Sequence, residues 1–223
     1  MRIVTKSLLA LCLGAALGGA AMASPRGDAD AAYKRGDYAA ALKWYRSAAA
    51  KGNAVAQNRI GDMYEDGNGV AENHAEALKW HRLAAAQGNA DAQTSVGFAY
   101  SYGRGVAQND AEALKWYRLA AAKGHAAAQF HLGVAYTYGR AVTKDNDEAL
   151  KWNRLAAVQG YARALMILGT DYLNGQGTAR DYVQAYKYSS LAVARSEPGI
   201  ELEMATNIRD EAAAKLKIGR AHV

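Results

Sequence analysis

The sequence predicts an all-α chain built from one repeated helix–loop–helix unit, and three observations carry that prediction. The first is composition: no Pro occurs between Pro25 and Pro198, and 51% of the 223 residues are hydrophobic, many of them Ala. Such a chain can be helical with little propensity penalty and lacks the β-branched density that strands favour. The second is the spacing of Trp44, Trp80, Trp116 and Trp152, which stand 36 residues apart and are continued by Tyr188. The third is the phrase around them. Ala-Leu-Lys-Trp starts at Ala41, Ala77, Ala113 and Ala149, followed by Tyr-Arg, His-Arg, Tyr-Arg and Asn-Arg, and a degenerate Ala-Tyr-Lys-Tyr starts at Ala185. A fixed period of this length marks a stacked array, because one helix pair cannot bury its apolar face alone and neighbours can do it together. Composition also excludes several classes. The single Cys12 can neither form an intramolecular disulfide nor anchor a thiolate metal site, and a sandwich, a barrel or a disordered chain is disfavoured.

Both ends are set apart from the repeats. Arg2 and Lys6 precede an apolar or small-residue stretch from Ser7 to Ala21, and Ala21-Met22-Ala23 stands before Ser24. This is the pattern of an export signal over residues 1–23, with cleavage expected before Ser24. Cys12 follows Leu11 in mid-stretch, which does not fit a lipoprotein site, and the stretch is short for a membrane anchor. At the other end, Ile218-Gly219-Arg220-Ala221-His222-Val223 is the translation of ATC GGA AGA GCA CAC GTC, similar to a common sequencing adapter. Residues 218–223 are therefore read as an adapter scar and left out of the fold prediction.

Between these ends, four units are expected at 53–88, 89–124, 125–160 and 161–196, with a half unit at 28–52 and a capping helix within 197–217. In the second phrase, Ala54, Gln57, Gly61 and Tyr64 share one helical face by spacings of 3, 4 and 3,. Gly67-Asn68-Gly69-Val70 ends that helix, since glycine takes the positive φ of a C-cap without a Cβ penalty. Asn73, Asn109, Asp145 and Asp181 then occupy N-cap positions. The second helix carries Ala77, Trp80 and Ala84 toward its partner, and a separate helix is expected over Glu201 to Lys217.

These phrases together resemble the Sel1-like repeat, a relative of the tetratricopeptide repeat with a longer inter-helix loop. The resemblance covers Asp28 to about Ser196; Ala141 replaces a loop Gly, Thr178 replaces Val and Tyr188 replaces Trp. It implies a right-handed α-solenoid whose first helices line a concave surface, and a role in holding other proteins. If position 141 takes a positive φ, its Ala is strained by roughly 1 kcal/mol.

Residues that vary between units indicate what such a surface would hold. Val55, Arg59, Asp62 and Asp66 share one face in the first full unit, and Asp91, Ser95, Phe98 and Tyr102 correspond in the second. Ala127, His131, Val134 and Tyr138 follow in the third, then Arg163, Ile167, Thr170 and Asn174 in the fourth. Of these, Arg59, Asp62, Phe98, Tyr102, His131, Val134, Tyr138 and Ile167 are the candidate partner-binding residues. Aromatics with a polar rim suit a protein or an extended peptide. On the second helices, Lys43, Lys79, Lys115, Lys151 and Lys187 form one ladder and Arg46, Arg82, Arg118 and Arg154 another, partly balanced by Glu76, Glu112 and Glu148,.

The net charge of +6 falls to +4 without Arg2 and Lys6, and to +3 without Arg220. So modest a charge does not indicate nucleic acid. Catalytic patterns are lacking as well. His74, His81, His125 and His131 stand in no H-E-x-x-H pair, and there is no G-x-S-x-G and no S-x-x-K with K-T-G,. His74 and His81 are expected at the surface. The expectation is an exported, periplasmic or secreted, non-enzymatic scaffold or regulatory adaptor. It would bind a protein or extended peptide of the cell envelope, without a cofactor, a metal, nucleic acid or a membrane anchor after cleavage. The competing expectation is a binder or hydrolase of β-lactams or cell-wall fragments, as in Cys-rich Sel1-like proteins, whose cysteines this sequence lacks.

Overall fold

The computed structural model describes residues 25–221, with side chains from 28 to 217. The expected export signal with Cys12, and residues 222–223 of the expected scar, lie outside the described residues. The chain runs through α1 (Pro25–Lys34) and α2 (Tyr38–Ala49), then α3 (Ala54–Asp66) and α4 (His74–Ala86). It continues through α5 (Ala90–Tyr102) and α6 (Asp110–Ala121), α7 (Ala126–Tyr138) and α8 (Asn146–Val158), and α9 (Ala162–Asn174) and α10 (Tyr182–Val193). It closes with α11 (Ile200–Ala221), and no strand occurs among the described residues. Each helix packs on its sequence neighbours, so the architecture is an all-α helical repeat.

Local chemistry sets the element ends. Asn53 and Asn89 cap α3 and α5, accepting from the N–H groups of Ala56 and Ala92, while Asn73, Asn109, Asp145 and Asp181 cap the second helices. The first helices stop at Gly67, Gly103, Gly139 and Gly175, with φ of 70°, 69°, 67° and 74°. Each loop then folds back, so that the N–H of Asn73 donates to Tyr64 O at 2.8 Å and that of Asn109 to Tyr100 O at 2.9 Å. The residues expected as a half unit form a whole helix pair. α1 and α2 are joined by Arg35-Gly36-Asp37 alone, a turn that Gly36 permits with φ 78°. At the far end, α11 lies against α9 and α10, where Ala205 and Ala212 are buried, and its backbone stays helical through Ala221.

The core departs from the sequence reading in one register. Ala77 and Ala84 are fully buried as expected, but the Trp80, Trp116 and Trp152 side chains are only half-buried and Trp44 is exposed. The residue after each Trp is the buried one, as is Ser189 after Tyr188: Tyr45, His81, Tyr117, Asn153 and Ser189 are all at most 3% exposed. His81, expected at the surface, is therefore inside. The cause is a glycine in the opposing helix. A Cβ on Gly61 would stand 2.5 Å from the His81 ring, and one on Gly97 would stand 2.7 Å from the Tyr117 ring. Helix α3 thus lies so close to α4 that the imidazole fills the space a side chain would take, and α5 and α6 repeat this with the phenol.

At Gly169 the same added Cβ would find Ser189 at 3.4 Å, an ordinary contact. Gly97→Ala should therefore destabilise by about 1–3 kcal/mol through overpacking, whereas Gly169→Ala should be neutral or stabilising by up to ~1 kcal/mol from helix propensity. Paired urea melts of the two variants separate these outcomes. Ala141 does adopt φ 55°, beside Gly69, Gly105 and Gly177 at 73°, 67° and 64° in the other loops. Ala141→Gly should raise the melting temperature, with relief of roughly 1 kcal/mol corresponding to about 2–4 °C, as read by circular dichroism.

Candidate functional site

The first helices α3, α5 and α7 build a pocket of about 520 Å³. Arg59, Asp62, Glu65 and Asp66 enter it from α3, Phe98 from α5 and His131 from α7. Of the eight sequence-predicted residues, Arg59, Asp62, Phe98 and His131 are thus brought together. Tyr102 and Val134 line an adjoining crevice of about 20 Å³ with His131 and Tyr117. Tyr138 is 68% exposed beyond it, with the Arg140 guanidinium 5.7 Å from its ring. Ile167 is half-buried against the core of the last units and lines neither cavity. Four of the eight thus share one pocket, Tyr102, Val134 and Tyr138 lie beside or beyond it, and Ile167 is apart.

Several lining residues were not singled out as binding residues by the sequence. His81 reaches the pocket from α4 because Gly61 leaves it room. Its Nδ1 lies 2.9 Å from Asn58 Oδ1. Arg104 reaches in from the loop after α5, donating to Glu65 at 2.8 Å, with its guanidinium 5.2 Å from the Phe98 ring centre. His125, the N-cap of α7, is paired with Asp91 at 2.9 Å. A signal for His81 was available in the sequence: the position after Trp is the one that changes within an otherwise repeated phrase.

The electrostatics of the pocket are set by burial. Desolvation pushes the Asp62 carboxyl up to about 6 despite the Arg59 guanidinium 3.3 Å away, and the carboxylates of Asp66 and Asp91 push the same way. Burial holds the His81 imidazole down to about 4. It does the same to His131, with help from Arg163, and that ring stacks on Tyr117 at 4.6 Å between centres. The hydrogen bond from His125 lowers Asp91. Phe98 and Tyr102 pack at 4.4 Å between centres, and Tyr102 is 53% exposed. Among the described residues no group of three or more His, Cys, Asp and Glu is placed to hold a metal ion.

The Sel1 repeat model matches residues 27–53, 54–89, 90–125, 126–161 and 162–196. The chain belongs to the Sel1 repeat family. It is 30% identical to a Sel1 repeat protein of Oxalobacter formigenes, with a TM-score of 0.71 over 84% of this chain and 83% of that one. A protective antigen of uropathogenic Escherichia coli strains with this repeat fold is also 30% identical, with a TM-score of 0.68 over 86% of this chain and 46% of that one. Its matched region is therefore less than half of the antigen. A Sel1 repeat protein from Klebsiella pneumoniae shares the fold at 18% identity, with a TM-score of 0.54 over 83% of this chain and 89% of that one. The comparison with curated proteins gave no match.

Within these Sel1 repeats, the shifted groups make a pH-dependent prediction. Asp171, which stands at the register of the buried Met63, is also pushed up to about 6 by burial. For Asp62 and Asp171 the folded chain keeps a proton that the unfolded chain has released, so their contribution to stability falls as pH rises from about 4 to 6,. For His81 and His131 the unfolded chain holds the extra proton, so their contribution grows from about pH 4 to 6.5,. The two effects oppose, and unfolding of the wild type should change little across that window. In the double variant Asp62→Asn/Asp171→Asn only the histidine contribution remains. Its unfolding free energy should climb with pH by up to about 3 kcal/mol for each of the two histidines,, measured by urea titration at successive pH values.

Proposed function

We propose that this chain is a non-catalytic scaffold of the cell envelope that holds a protein or extended peptide partner on the face built by α3, α5 and α7. The observation that carries this reading is the gathering of non-repeating side chains into one pocket. Stacking requires the Ala, Gly, Leu and capping residues that recur in every unit, and it makes no demand on Asp62, Phe98 or His131. Those residues nevertheless meet around the same cavity of about 520 Å³.

The site continues past its mouth. Tyr102 and Tyr138 extend an exposed aromatic track along the same helices, which suits an elongated ligand. Aromatic side chains supply large contact area at small entropic cost and are favoured binding anchors. Helical-repeat arrays use such extended surfaces for protein recognition. Support for export comes from the n-region, apolar stretch and Ala21-Met22-Ala23 motif at the N-terminus,. The pocket lining does place the Thr94 hydroxyl 2.9 Å from His125 Nδ1, but that hydroxyl donates to Ala90 O and His125 caps α7, so both groups are engaged in holding helix ends and backbone.

The double variant Phe98→Ala/Tyr102→Ala should lose capture of the envelope partner by about tenfold or more, since two anchors are removed. Its melting temperature should stay close to that of the wild type. Affinity capture from an envelope extract, with wild type and variant in parallel, tests this. Undiminished capture by the variant overturns the assignment of this face.

A further inference from the structure

The three residues at positions 58, 62 and 81 distinguish one unit from the rest. Their counterparts are Thr94, Phe98 and Tyr117, then Phe130, Val134 and Asn153, then Met166, Thr170 and Ser189. Only the unit 53–88 puts an amide, a carboxylate and an imidazole at this contact. Their hydrogen bonds fix how each is turned. The Asn58 Nδ2 amide donates to Asp62 Oδ2 at 3.4 Å, so Asn58 Oδ1 is the atom that faces His81 Nδ1 at 2.9 Å. A carbonyl oxygen can only accept, so Nδ1 carries the imidazole proton and Nε2 presents a lone pair.

That lone pair faces Asp62 Oδ1 at 3.9 Å, and the His81 side chain is only 3% exposed. Two acceptors therefore look at each other across a gap, and among the described residues neither atom receives a hydrogen bond. Both residues line the pocket, the Asp62 side chain being 29% exposed, so a donor entering from the pocket can reach both acceptors at once. The surroundings call for a donor that is also positive. Asp62, Glu65, Asp66 and Asp91 line the pocket against the two guanidinium groups of Arg59 and Arg104, a local acidic surplus in a chain whose net charge is +6.

We propose that the pocket seats the side-chain ammonium group of a lysine presented by the partner, with Asp62 Oδ1 and His81 Nε2 as its two acceptors. One ammonium nitrogen can stand about 2.8 Å from both atoms. Its methylene stem would lie against the Phe98 ring, as long basic side chains do on apolar surface. The Arg104 guanidinium, held by Glu65 and placed near the Phe98 ring, is an internal example of the same cation, aromatic and carboxylate combination. The inference rests on the reading of this face as a peptide-binding surface and narrows the partner to one that offers a lysine.

The test uses the full chain labelled with ¹⁵N and follows the His81 imidazole nitrogens by NMR. The probes are four short peptides: acetyl-Gly-Lys-Gly-amide, its Nε-acetyl-lysine and norleucine analogues, and Gly-Gly-Gly-amide, which carries only an N-terminal ammonium. The lysine peptide should shift the Nε2 resonance and saturate, and the two uncharged analogues should not. Asp62→Asn should weaken binding of the lysine peptide roughly tenfold or more. His81→Asn, which installs the residue found at position 153, should weaken it also, and a circular dichroism melt of each variant verifies folding.

Equal binding of the norleucine peptide, binding of Gly-Gly-Gly-amide as tight as that of the lysine peptide, or a folded Asp62→Asn variant of unchanged affinity would overturn the inference. If partner capture depends on Phe98 and Tyr102 while the lysine peptide stays silent, the binding face stands and the lysine seat falls. If the lysine peptide binds and capture ignores Phe98 and Tyr102, the seat stands and the larger face falls.

Discussion

The close approach of α3, α5 and α7 to their second helices at a glycine is the constraint on which the binding face depends. At Gly61, Gly97 and Gly133 no Cβ could be added without displacing His81, Tyr117 or Asn153. The absent side chain lets the two backbones draw together, and the facing residue of the second helix fills the space. Because it passes between the helices, that residue can reach the face where α3, α5 and α7 lie. His81 reaches the large pocket and Tyr117 the crevice beside it. One packing rule thus fixes helix spacing and delivers unit-specific chemistry to the binding face.

Polar contacts join neighbouring units alongside the apolar core. Gln57 and Gln93 are buried, and their side-chain amides donate to Ala49 O and Ala85 O at the end of the preceding helix. Within a unit, Gln87 donates to Gln57 at 2.6 Å, and Gln159 to Gln129 at 2.8 Å. Arg82 and Arg154 donate to the hydroxyls of Tyr100 and Tyr172 in the following unit. The carbonyls of Ala49 and Ala85 also accept from the N–H groups of Gly52 and Gly88, so Gln57 and Gln93 each add a second bond at a helix end. The amide N–H groups of Gln57 and Gln93 are therefore joints between neighbouring units of a quasi-one-dimensional fold,, whereas Gln93 Oε1 and Asn153 Oδ1 are buried without a partner among the described residues.

The two ladders of basic residues serve different ends. Lys79 and Lys151 pair with Glu76 and Glu148 at 2.7 and 2.6 Å on the exposed side of their own helices, where such pairs add little stability. Arg46, Arg82 and Arg154 cross between units instead, donating to Tyr64, Tyr100 and Tyr172. Register along each helix thus separates these basic ladders from the carboxylates that line the pocket.

The sequence by itself determined the helical class, the 36-residue period and the capping residues, because these follow from local propensity and spacing. Helical periodicity placed Arg59 and Asp62, Phe98, and His131 on one face of α3, α5 and α7 respectively, and stacking of those helices brings the four together, as it also fixes φ 55° at Ala141. Only the tertiary structure decided that the residue after each Trp is the buried one, since a one-residue shift of register depends on the glycine of the opposing helix. Likewise, residues 28–52 complete a helix pair with α1 through a three-residue turn, which carries none of the loop phrase by which the other units are recognised. The meeting of Asn58, Asp62 and His81 depends on the distance between α3 and α4. Spacing along a chain places side chains on a face of one helix; the depth to which a neighbouring helix carries its own side chains is set by packing between the two.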